Sequence, residues 1–146
     1  MRSIVHAVSG GPAEVLAVGE SPQPEPGPGQ ARVRMQLSPI HNHDLWTVRG
    51  QYGYKPTLPA IAGSEAFGVV DAVGEGVEGL AIGQRVTTAG ARGAWAEYFV
   101  VPAASLVPVP DAIDDASAAQ LVAMPLSALM LLEMLDVASG DWIVQN

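Results

Sequence analysis

Gly63-Ser64-Glu65-Ala66-Phe67-Gly68-Val69-Val70-Asp71-Ala72-Val73-Gly74-Glu75-Gly76-Val77 is the stretch on which the fold turns. Residues 66–73 form an apolar run of strand length, and Gly74-Glu75-Gly76 turns the chain directly after it. Working outward, residues 31–37 alternate apolar and polar side chains, the pattern of a half-buried strand. Residues 83–87 and 94–101 read as two more strands. Residues 3–8 read as a first strand, with Gly10-Gly11-Pro12 as a turn and residues 15–18 as its hairpin partner. Residues 22–29 alternate proline with polar residues and glycine, so they read as an extended surface connection. Short, evenly spaced strands rich in glycine predict a mainly β fold with some α, an antiparallel and partially open barrel.

Helices interrupt this pattern in two places. Residues 43–49 read as one or two helical turns, with Asn42 as N-cap and Gly50 as the stop. Residues 114–122 and 125–138 read as two helices, with Asp114 and Asp115 at a helix start and Pro125 in a first turn. The last helix carries Leu126, Leu129, Met130, Leu131, Leu132, Met134 and Leu135, apolar on nearly every face, and is expected to be buried all round. Residues 142–145 read as a strand that has barely begun at the last residue, Asn146. The expected organisation is therefore a barrel domain over residues 1–122. Residues 123–146 would form the entrance to a second domain.

Composition narrows the function. The 146 residues hold 15 acids against 7 bases, a net charge of −8. Such a surface argues against a nucleic-acid partner, whose phosphates must be met by Lys and Arg. The chain has no cysteine, which removes disulfides, thiol nucleophiles and every cysteine-based zinc site. No signal peptide and no membrane span is legible, so a cytoplasmic protein with no membrane partner is expected.

Several short motifs then occur in order. They are Gly50-Gln51-Tyr52-Gly53, Leu58-Pro59, Gly63 to Val70, Val73 to Val77, Gly83-Gln84-Arg85-Val86 and Gly93-Ala94-Trp95-Ala96-Glu97-Tyr98. Together they resemble the medium-chain dehydrogenase/reductase superfamily, and the whole chain looks like its N-terminal GroES-like catalytic domain. The tail from Gly140 to Asn146 is similar to the first strand of the family's Rossmann domain. The resemblance therefore implies C-terminal helices leading into a truncated Rossmann domain, with its glycine-rich dinucleotide loop beyond Asn146.

The resemblance also sorts the candidate residues. Where the family's zinc alcohol dehydrogenases have a Cys, a His and a later Cys, this chain has His41, Ser64 and Ala123. A catalytic zinc needs three protein ligands. His41, with His43 and Glu65 as helpers, is the only route to a metal, so no zinc is expected. The zinc-free relatives are quinone oxidoreductases and enoyl-thioester reductases, and they imply NADPH, or NADH, as cofactor. In the enoyl reductases a tyrosine in a Gly-x-Tyr-Gly context is implicated as proton donor, and Tyr52 stands in that context. A phenol is protonated at neutral pH and can donate to the enolate that hydride addition creates.

His43 matches a proton-relaying position and is the second catalytic candidate. Asn42 and Ser127 are the cofactor-binding candidates. Asn42 replaces a proline common in the zinc-free relatives, and Ser127 takes the place of a threonine that often touches the nicotinamide amide. Ser127 has a blander use, bonding its own helix backbone. Trp46 is expected in the core, Arg49 as a solvated charge, Glu65 buried and paired with Arg85, and Arg92 as a charge at the rim. The implied activity is reduction of a small enone, quinone or enoyl thioester by a protein that forms homodimers at full length. A non-catalytic GroES-like scaffold and a zinc alcohol dehydrogenase with atypical ligands are the alternatives.

Overall fold

A computed structural model describes residues 1–144. Among the described residues, eight strands, four α-helices and one 3-10 turn (Ala103–Ser105, between β7 and β8) occur in the order β1 (Arg2–His6), α1 (Pro12–Val15), β2 (Ala17–Glu20), β3 (Gln30–Leu37), α2 (Asn42–Val48), β4 (Ala60–Ile61), β5 (Glu65–Val73), β6 (Arg85–Ala89), β7 (Tyr98–Pro102), β8 (Val107–Pro108), α3 (Asp115–Ala118) and α4 (Ala123–Leu135). They build two antiparallel sheets. One has the order β2-β1-β4 and the other β7-β3-β5-β6-β8. Among the described residues an isolated bridge joins Ser3 of β1 to Ala96, just before β7, and the two sheets share no strand, so the barrel is partially open, as the strand pattern predicts.

The quoted stretch lies at the centre. β5 pairs β3 on one side and β6 on the other. Ala31 and Val33 from β3, Ala66 and Val70 from β5, and Val86 from β6 are at most 1% exposed and form the main core. Burying a valine of this kind contributes about 1.5–3 kcal/mol. Gly68 is required where β3 and β5 close up, because a Cβ there would strike the Arg34 carbonyl. The register shifts next to it, between Met35 and Leu37.

Several boundaries differ from the sequence reading. The hairpin partner of β1 is residues 17–20, because Pro12 starts a helical turn that uses residues 12–15. The sixth strand runs over residues 85–89 and the seventh over 98–102, each a few residues later than expected. The N-cap of α2 is His41, not Asn42. His41 has extended backbone angles, and its N–H donates to the Asp44 carboxylate at 3.1 Å. α3 covers only 115–118. Its N-cap Asp114 accepts the Ser117 N–H at 3.0 Å.

α4 spans 123–135 and ends at Asp136, which adopts a left-handed conformation with φ 47°. Pro125 sits in its first turn, as expected. Its apolar side chains are not buried: Leu126, Leu129, Met130, Leu131, Leu132 and Met134 are 52–80% exposed. No described element packs along the helix. The strand expected at 142–145 is not formed over residues 142–144, and Gln145 lies outside the described residues. No described helix is long and apolar enough to cross a membrane.

Candidate functional site

α2, the 52–57 segment, the β4–β5 turn and the loop after β6 enclose a cleft of about 730 Å³. Its walls are fixed by local chemistry. Gly63 turns the chain between β4 and β5 with φ 92°, and a Cβ there would run into the indole of Trp95. That indole is held in turn by its N–H, which donates to the Pro39 carbonyl at 3.2 Å. The loop carrying His41 is thereby set against the end of β5.

Glu65 opens β5 and is 1% exposed. Its partner is not Arg85. His41 Nε2 meets Oε2 at 2.6 Å, while Oε1 accepts the backbone N–H groups of Val122 and Ala123 at 3.0 and 2.9 Å. This buried carboxylate therefore ties together α2, β5 and the start of α4. Arg85 instead bonds Asp115 at 2.8 Å and lies over the Phe67 ring. The difference arises because Glu65 and Arg85 belong to adjacent strands in register with other residues: Glu65 opposes Ala89, and Arg85 opposes Val69.

His41 and His43 stack with ring centroids 4.9 Å apart. His43 stacks in turn on Tyr52 at 5.6 Å. His43 Nε2 shares a hydrogen bond of 2.8 Å with Ser64 Oγ, and both His43 and Tyr52 line the cleft. The two catalytic candidates are thus brought together. The hydroxyl–imidazole contact supplies a path for a proton from Ser64 to His43. Ser64 was not legible as a partner, since it lies 21 residues from His43 and only the closure of β5 against α2 joins them.

The two cofactor candidates lie elsewhere. Asn42 is exposed at the start of α2 and does not line the cleft. Ser127 donates its hydroxyl to the Ala123 carbonyl at 2.8 Å, one turn into α4. Trp46 is 50% exposed and so not in the core, because it faces away from Val48 on the short helix. Arg49 is exposed, and Arg92 lines the cleft with its guanidinium 4.4 Å from the centre of the Tyr54 ring.

The donors do not fit a catalytic zinc. His41 and Glu65 are bonded to each other, and Glu65 is also committed to two backbone N–H groups. Ser64 is bonded to His43, and position 123 contributes only a methyl group. No group of three metal-ligating side chains converges among the described residues.

The pattern of the alcohol dehydrogenase GroES-like domain matches residues 27–111. The mitochondrial enoyl-[acyl-carrier-protein] reductase of Rattus norvegicus is 34% identical over 148 residues, covering 100% of this chain and 40% of its own length. The chain thus spans well under half of that relative. A solved mycobacterial structure complexed with NADPH superposes with a TM-score of 0.89 at 36% identity, covering 97% of this chain and 44% of its own. The Escherichia coli quinone oxidoreductase complexed with NADPH gives a TM-score of 0.86 at 30% identity, covering 92% of this chain and 41% of its own. With the GroES-like pattern across its central strands and this likeness over nearly its full length, the chain belongs to the medium-chain dehydrogenase/reductase superfamily, beside its quinone oxidoreductases and enoyl reductases.

Proposed function

We propose that this chain forms the catalytic part of a zinc-independent, NADPH-dependent oxidoreductase that reduces the activated double bond of a small enone, quinone or enoyl thioester. Residues 1–122 are the catalytic domain, and residues 123–146 lead into a dinucleotide-binding Rossmann domain of the complete gene product, which forms homodimers in the cytoplasm. The observation that carries this reading is the Tyr52–His43–Ser64 array lining a cleft whose metal-ligand positions are spent on other bonds.

NADPH, when bound, would supply the hydride that adds to the β-carbon of the double bond. Negative charge then gathers on the carbonyl oxygen, and a donor already in place there lowers the barrier more than one that must reorient. The Tyr52 hydroxyl is that donor. It hydrogen-bonds the developing enolate and passes its proton to the α-carbon or the oxygen. His43 keeps the phenol ring in place through the stack, and the Ser64 hydroxyl can pass a proton to His43. On the cofactor side, the Ser127 hydroxyl already donates to Ala123, which leaves its lone pairs to accept a carboxamide N–H. The Asn42 amide, exposed at the start of α2, would be a hydrogen-bonding group for a cofactor lying outside the cleft.

Tyr52→Phe in the complete gene product tests this directly. Phenylalanine keeps the stack and loses the donor. The expected result is a kcat for an enoyl thioester lowered about 100-fold, with KM little changed. An unchanged kcat would remove Tyr52 from the reaction.

A further inference from the structure

We propose that Arg92 is a specificity-determining residue that selects substrates carrying an anionic oxygen group, phosphate or carboxylate, beyond the reacting double bond. This rests on the reading above that the cleft holds an activated alkene. Arg92 is the only Lys or Arg among the described residues that line the cleft. It is exposed and, like Arg34, Arg49 and Lys55, has no ion-pair partner among the described residues, whereas Arg2, Arg32 and Arg85 are paired; of those four it alone lines the cleft. In a chain of net charge −8, an unpaired cation on the wall of the cleft stands out.

The carboxylates in the same cleft do not compensate it. Asp44 and Glu65 are 4% and 1% exposed, and both accept hydrogen bonds from the His41 residue beside them. Arg92 is also held in place. It lies in the loop between Gly90 and Gly93, both at positive φ, and its guanidinium rests over the Tyr54 ring. Stacking on a ring face occupies the guanidinium plane and leaves its edge N–H groups pointing outward. That edge matches two oxygens of a carboxylate or phosphate. Tyr52, Tyr54 and Arg92 all line the same cleft, so an anion held by Arg92 would share that cleft with the alkene.

The test is a titration of the full chain followed by NMR at Tyr52, His43 and Arg92. Crotonyl phosphopantetheine is compared with crotonyl pantetheine, which differs only in lacking the phosphate. An enone with a terminal carboxylate is compared with its methyl ester, so the two pairs separate phosphate from carboxylate as the preferred anion. The expected result is about five- to tenfold tighter binding of the anionic member of at least one pair, shrinking at high salt. Arg92→Gln should abolish the difference while leaving the neutral member's affinity unchanged. Equal affinities in the unmodified chain, or a difference that survives in Arg92→Gln, would overturn the proposal alone. If no probe perturbs Tyr52 or His43, the cleft does not hold an alkene, and the reading falls together with the proposal.

Discussion

Glu65 shows how much one side chain can organise. A buried carboxylate is costly unless donors surround it, and here three do: one imidazole and two backbone N–H groups. Glu65→Ala is expected to lower stability by about 3–5 kcal/mol, since it leaves His41 and two amides unpaired. Hydrogen exchange gives the specific signature, with the Val122 and Ala123 amides losing protection before those of β3 and β5. A second residue has a pH signature. Asp114 accepts the backbone N–H and then the hydroxyl of Ser117, which holds its carboxyl below the usual aspartate range. Its pKa is lower folded than unfolded, so its contribution is present above the unfolded value and is lost as pH falls through the folded one. Asp114→Ala should therefore lower the thermal midpoint at pH 7 and change it little in strong acid. The residue types at the site were legible because they stand in short motifs, as Tyr52 does between two glycines. Their partners were not, because Ser64, Val122 and Ala123 reach the site only through long-range closure.

At the level of elements, the strands around residues 63–77 were legible because alternation and glycine turns are local signals. Of the short helices, α2 was legible to within a residue from the run at 43–49, whereas α1 and the early end of α3 were not. Pro12 begins a turn that displaced the expected hairpin, and α3 stops after four residues because the chain must reach Glu65 with the N–H groups of 122 and 123. The β4–β5 turn makes its own prediction. Gly63→Ala sets a Cβ at positive φ against the Trp95 indole. Unfolding in denaturant should show a loss of about 2–4 kcal/mol, with the cleft residues shifted in the NMR spectrum.

Across the whole molecule, two surfaces differ sharply. The barrel buries its apolar residues on the five-stranded sheet and the loops beside it, while α4 leaves its own exposed along its length. An all-apolar helix fits a larger assembly, so periodicity alone could say that α4 needs partners but not that the described chain lacks them. The chain on its own is expected to self-associate through this helix. Replacing Leu129 and Leu132 together by Glu should raise the monomer fraction in size-exclusion chromatography and leave barrel stability within about 0.5 kcal/mol. The same scale holds the central claim, that the site reduces activated alkenes without a metal. The most direct measurement is NADPH oxidation by the complete gene product with an enoyl thioester, before and after exhaustive treatment with a zinc chelator. The predicted result is an undiminished rate; a rate that disappears with the chelator and returns with added zinc would contradict it.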